Sequence, residues 1–173
     1  SCRETFGAKG VKEFAKAGKP IVYLGNCQRA KGVVEAYEAL KNLDAHLVTS
    51  GKRQVNIPAQ NLNLTYREYL MLLKASSVAL AMSTMQEGWC ITAQEAMLCN
   101  TPVIGSGKGG MRELLDGGGQ VVCEDFQNLR KEVEYMLSHS ETREEIGEKG
   151  YRFAKQFTIE RFRSDWLKFM EKI

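Results

Sequence analysis

Short apolar runs alternate with amphipathic stretches along most of this chain. Ile21, Val22, Tyr23 and Leu24 are continuously apolar and end at Gly25, as a parallel strand buried on both faces requires. Val33, Val34, Tyr37 and Leu40 then recur at helical spacing. Residues 46–49 predict a second strand, and residues 55–57, stopped by Pro58, a third. Thr65 and Glu68 have the spacing of a capping box, opening a helix that carries Tyr69, Leu70, Leu72 and Leu73. Residues 78–82 are the next buried strand, followed by a helix over 91–98 and a strand over 102–105. A short helix over 111–115, a strand at 120–122 and helices over 126–138 and 141–155 complete the pattern. The alternation predicts an α/β fold, a parallel sheet covered on both faces with right-handed crossovers.

The two ends of the chain are read differently. Residues 1–19 form a helix-prone polar lead-in with Val11, Phe14 and Ala15 as apolar contacts. At the other end, Ile159, Phe162, Trp166, Phe169 and Ile173 recur at spacings of 3 and 4, a helical stripe of large residues. The stripe fits packing on this domain or contact of residues 156–173 with a second, N-terminal domain outside the chain. The 173 residues are read as one domain with enough length to bury a core.

Composition narrows the function. Hydrophobic content of 43%, charged content of 26% and a net charge of +3 are those of an ordinary globular protein. Lysines and arginines are spread along the chain with no basic stripe and interleaved aromatics, which argues against nucleic acid. The apolar runs are too short to span a bilayer, and the charged N-terminus does not read as a signal peptide. Cys2, Cys27, Cys90, Cys99 and Cys123 are odd in number and lack CxxC spacing. With only two histidines beside them, neither a zinc site nor a disulfide framework is expected. A reducing cytoplasmic setting follows.

In open parallel sheets ligands bind beyond the carboxyl ends of the strands. The loops there are 25–32, 50–53, 83–91 and 106–110, and the unusual residues collect in them. At 25–32, a strand leads to a helix start whose free N–H groups favour an anion, with Arg29 and Lys31 adding positive charge. The GK[ST] ending of a Walker loop is missing. Next, Glu87 is followed by Gly88, which lets the backbone approach a ligand closely. The N–H groups of Trp89, Cys90, Ile91 and Thr92 lie at a helix start, and Glu95 follows one turn in. A carboxylate there serves either as a dipole partner or as an acceptor for two neighbouring hydroxyls, such as those of a ribose. Finally, GSGKGG at 105–110, with Glu124 and Asp125 downstream, satisfies the dinucleotide fingerprint. It lies late in the chain and before a very short helix, which disfavours that reading.

Taken together the motifs resemble the C-terminal, donor-binding domain of family-4 (group 1) retaining glycosyltransferases of the GT-B type. Glu87, Gly88 and Trp89, then Glu95, Ala96 and Met97, then Pro102 and Val103, match the family's E-x7-E pattern and its sequel. Gly109, Gly110 and Glu113 match its GG-x-x-E, and Gly25, Lys31 and Gly32 its upstream loop. The match runs from about Pro20 to Phe162 in consistent order.

The resemblance implies a Rossmann-like three-layer sandwich and a nucleotide-sugar donor. It implies that Lys31 binds the diphosphate and that Glu87 with the backbone of Gly88, Trp89, Cys90 and Ile91 holds the hexose. Glu95 would accept from the ribose hydroxyls, and the base would lie near residues 55–59. Gly25, Asn26, Arg29 and Thr92 complete the expected site, with Glu87 and Lys31 as its catalytic pair. No divalent metal or other cofactor is expected. A glycan, lipid or small-molecule acceptor would be held by the N-terminal domain, so the chain alone would bind donor but transfer little. The full-length enzyme would be cytoplasmic or peripheral at a membrane. Asn26 replaces the family's arginine and Cys90 a frequent glycine, leaving the donor open. The alternatives are a non-catalytic nucleotide-sugar module and, from GSGKGG, a nicotinamide-dependent oxidoreductase.

Overall fold

The computed structural model describes residues 18–170. The expected lead-in helix, up to residue 17, and Ile173 at the end of the stripe lie outside the described residues.

Six parallel strands form one sheet: β1 (Ile21–Asn26), β2 (His46–Ser50), β3 (Gln60–Leu62), β4 (Val78–Ala81), β5 (Val103–Gly105) and β6 (Val121–Val122). Their order is β3-β2-β1-β4-β5-β6. The chain therefore winds outward in one direction through β3 and in the other from β4, with its switch point between β1 and β4. Helices α1 (Val33–Leu40), α2 (Tyr66–Ala75), α3 (Ile91–Leu98), α4 (Met111–Gly117), α5 (Phe126–Ser138) and α6 (Ser140–Ala154) follow the strands, and α7 (Ile159–Met170) comes last.

Alternate residues of each central strand serve opposite faces. Ile21, Tyr23, Ala79, Ala81 and Val103 pack with α2, α3, α4 and α6 through Leu72, Leu73, Ala96, Met97, Leu114 and Ala154. Val22, Leu24, Val78, Leu80 and Ile104 pack with α1 and α5 through Val33, Ala36, Leu40, Leu129 and Val133. Apolar residues on both faces explain why these runs do not alternate with polar ones. Most element boundaries agree with the pattern to within a residue or two, and the capping box of Thr65 and Glu68 is present.

One expectation fails. Residues 55–57 form no strand; the third strand is Gln60–Leu62. The Arg53 guanidinium donates to the carbonyls of Ile57 at 3.0 Å and Ala59 at 3.3 Å, so those acceptors are satisfied off the sheet. Ile57 and Ala59 are instead buried against the α1 and α5 face. Helix α7 has no buried residue, and its Ile159, Phe162, Trp166 and Phe169 line an open groove with Trp89, Gln94 and Phe157.

Candidate active site at the topological switch

The geometry of the site begins with β1. Its pairing with β2 shifts register between Tyr23 and Gly25, and Gly25 has a φ of 119°, which side-chain-bearing residues rarely adopt. The bulge releases the chain into a 3₁₀ turn, Arg29–Lys31, closed by Gly32 in the left-handed region. A Cβ on Gly32 would overlap the Met82 carbonyl oxygen, so glycine lets this loop lie directly on the end of β4. Thr84 N–H then donates to the Ala30 carbonyl at 2.9 Å.

The loop after β5 is tied to the same place. Ser106 Oγ donates to the Ser83 carbonyl at 2.8 Å, and Lys108 Nζ to that of Thr84 at 3.1 Å. Gly110 N–H donates to the Glu87 carbonyl at 2.7 Å. Side chains on Gly109 or Gly110 would collide with the carbonyls of Glu87 and Gly88. Gly109 and Gly110 are thus packed against the neighbouring loop. Their role is close backbone packing.

Three loops joined this way bring Lys31 Nζ to 2.5 Å from Glu87 Oε1, with the Ser83 hydroxyl donating to the same oxygen. The ion pair is half-buried, with 31% of the Lys31 side chain and 13% of that of Glu87 exposed. Burial by itself would raise the pKa of Glu87. The hydrogen bonds from Lys31 and Ser83, with the Lys31 charge, outweigh it and hold the carboxyl below its usual range.

Glu95 projects from α3 beyond this pair. Its oxygens are taken by two phenols of α2: Tyr66 donates to Oε1 at 2.9 Å and Tyr69 to Oε2 at 3.0 Å. Tyr69 lies edge-on to Tyr23 with ring centroids 6.0 Å apart, and Thr92 is beside its hydroxyl. Burial raises both the Tyr23 and the Tyr69 phenol far above the ordinary value, so each remains a donor. Between the two carboxylates lies the buried Cys90 at the N-cap of α3. Its thiol is raised chiefly by burial, and it feels the charges of Glu87, Lys31 and Glu95 together. Lys31 and Glu87 are thus in direct contact, and Glu95 stands on the helix whose N-cap is Cys90.

The other expected residues divide. Asn26 ends β1, where its Oδ1 accepts from Ser50 Oγ at 3.1 Å, and Ser50 is bonded to Tyr23 at 2.7 Å. Arg29 is exposed at the start of the 3₁₀ turn. A Cβ on Gly88 would meet nothing within 4 Å, so that backbone faces open space. The Trp89 side chain does not join the group. Its indole N–H donates to Gln94 at 2.7 Å and its ring packs edge-on against Phe157 at 5.0 Å, leaving only its backbone in the loop. Ile91 is exposed at the first turn of α3.

Tyr66, Tyr69 and Ser83 are site neighbours that pattern reasoning passed over. The available signal was the i, i+3 spacing of the tyrosines on one helix. Among the described residues no group of three or more His, Cys, Asp or Glu is placed to hold a metal ion. Nor is any helix among them long and apolar enough to cross a membrane.

An uncharacterized glycosyltransferase of Methanocaldococcus jannaschii is 28% identical over 156 residues, covering 81% of this chain and 44% of its own length. Trehalose synthase of Pyrococcus horikoshii is 33% identical over 109 residues, 62% of this chain and 26% of that enzyme. The chain thus spans less than half the length of the curated relatives it matches. Among solved structures, sucrose-phosphate synthase from Thermosynechococcus elongatus superimposes with a TM-score of 0.76 at 21% identity, over 90% of this chain and 46% of that one. The Anabaena protein HepE in complex with UDP-glucose gives 0.78 at 16% identity, over 94% and 52%. Such low identities speak for a shared fold, the Rossmann-like α/β domain of GT-B glycosyltransferases. The family model described as glycosyl transferases group 1 matches residues 8–153, most of the chain and every loop that carries Lys31, Glu87 and Glu95, and to that family the chain belongs.

Proposed function

We propose that this chain binds the nucleotide-sugar donor, a UDP-, GDP- or ADP-sugar, of a hexosyltransferase that retains anomeric configuration. The contact between Lys31 and Glu87 carries the reading. In glycosyl transfer the bond that breaks joins the diphosphate to the anomeric carbon. Negative charge grows on the first and positive charge on the second, so a cation and a carboxylate are needed side by side. Lys31 takes the diphosphate, with the N–H groups at the start of α3 adding positive potential. Glu87 and the open backbone at Gly88 hold the hexose, and Glu95 accepts from the ribose. Phosphate charge is met by these groups without a divalent ion.

The acceptor, a glycan or lipid, is held by a second domain outside this chain, against which the apolar face of α7 docks. The chain alone binds donor and transfers little. In the cell the full enzyme works in the cytoplasm or at the membrane surface, in keeping with the free Cys27, Cys90, Cys99 and Cys123.

Calorimetry with UDP-, GDP- and ADP-glucose tests the reading. One of them is expected to bind, with Glu95→Ala weakening the free nucleoside diphosphate and Glu87→Ala reducing discrimination among sugars. Unchanged nucleotide affinity in Glu95→Ala removes the ribose role. One observation favours a non-catalytic nucleotide-sugar module instead: Asn26, which cannot supply an arginine's charge, is held by Ser50. Transfer activity in the chain joined to an acceptor domain rejects that alternative.

A further inference from the structure

The tyrosines on Glu95 are not equivalent. Each takes one carboxylate oxygen, at 2.9 Å for Tyr66 and 3.0 Å for Tyr69. The carboxylate has about four lone-pair directions and each phenol takes one, so a diol arriving from solvent meets the exposed phenol first. Tyr69 is partly buried in the core beneath α2, braced edge-on by Tyr23, which is itself fully buried and bonded to Ser50. Tyr66 stands at the first residue of α2, 65% exposed, and touches Tyr69 only through a tilted ring contact at 6.2 Å. One phenol is braced by buried protein, and the other stands mostly in solvent.

We propose that Tyr69 is a positioning residue that aims Glu95 at a vicinal diol, and that Tyr66 is a displaceable phenol occupying the oxygen the diol must take. The proposal rests on the reading of Glu95 as the acceptor for ribose hydroxyls. Anchoring differs because Tyr69 has protein on its flank and Tyr66 has solvent. A hydrogen bond at an exposed site stabilises little in water, whereas a diol delivering two bonds to one carboxylate displaces a single phenol. Burial keeps Tyr69 protonated, and its bond to Glu95 does the same for Tyr66, so neither becomes an anion facing the carboxylate. The pair thus tunes selectivity for ribose over deoxyribose without touching phosphate or hexose.

The test is calorimetry on the full chain with UDP, GDP and ADP and their 2′-deoxy forms, for the wild type, Tyr66→Phe, Tyr69→Phe and Glu95→Gln. Each phenylalanine removes one hydroxyl and keeps the ring. Tyr66→Phe is expected to tighten the ribonucleotide about 3-fold and to enlarge the ribo-to-deoxy ratio. Tyr69→Phe should weaken the ribonucleotide about 10-fold while leaving the deoxy form nearly unchanged, so the ratio collapses. A merely structural role for Tyr69 would weaken both forms alike. If both tyrosine variants leave the ratio unchanged while Glu95→Gln abolishes it, the inference is wrong and the ribose reading stands. Weaker ribonucleotide binding in Tyr66→Phe overturns the displaceable role. A ratio untouched by Glu95→Gln, or no binding of any of the nucleotides, overturns the ribose reading and this inference with it.

Discussion

In the loops beyond β1, β4 and β5, Lys31, Ser83 and Glu87 bond to one another and Glu95 to two tyrosines. Helix α7 does the opposite. It turns Ile159, Phe162, Trp166 and Phe169 outward, each with half or more of its surface exposed. Phe162, Trp166 and Phe169 meet edge to face with centroids 6.1 and 5.9 Å apart, along an open groove shared with Trp89 and Phe157. Directional polar groups brought together by the fold find partners close at hand, because an unpaired half-buried charge is costly. An apolar stripe makes a weaker demand. It specifies that one face is to be covered but not by what, and an exposed patch of this kind marks an interaction surface.

The largest expected effect strikes the packed side of that comparison. Gly32→Ala, at a φ of 68° with a Cβ overlapping the Met82 carbonyl, should lower stability by about 3 kcal/mol. Thermal melting measures it, and an unchanged midpoint would mean the β1 and β4 loops are not in contact. Next, Lys31→Met should weaken nucleoside diphosphate binding about 100-fold, the loss of a charge-assisted contact. Calorimetry showing unaltered affinity would take Lys31 out of the site.

A smaller effect is set by pH. Glu87 has its carboxyl held below its ordinary range in the folded state, so its contribution is fully present above the unfolded value and lost as pH falls through the folded one. Wild type should exceed Glu87→Gln by about 1 kcal/mol near neutrality, with the gap closing in acid. Paired melts over a pH series read this, and a gap that widens in acid would reverse the assignment. The smallest effect belongs to α7. Trp166→Ser, 50% exposed at an open groove, should change the stability of this chain by no more than about 0.5 kcal/mol. A drop several times larger would place α7 on this domain after all and erase the contrast.

Local periodicity carried most of the fold. The run from Ile21 to Leu24, the helices Val33–Leu40 and Ile91–Leu98 and the capping box at Thr65 are each decided by residues within a turn or a strand of one another. The edge strand Gln60–Leu62 was hidden because only one of its sides pairs and its residues, half-exposed and mostly polar, lack the apolar signal of the central strands. Residues 55–57 misled for the complementary reason: Ile57 is buried, yet Arg53 withdraws its carbonyl from pairing. Trp89 was assigned to the site through its backbone, and the direction of its ring, against Phe157, was not legible in the sequence.

The sequence alone determined the alternation of strand and helix, and which loops hold the charged and glycine residues, since both depend on near neighbours and backbone preference. Only the tertiary structure decided that Lys31 meets Glu87 across 56 positions and that Tyr66 and Tyr69 close on Glu95 across 29 and 26. The reason is the strand order: β1 and β4 become neighbours at the switch point when the sheet assembles, and no local pattern encodes that adjacency.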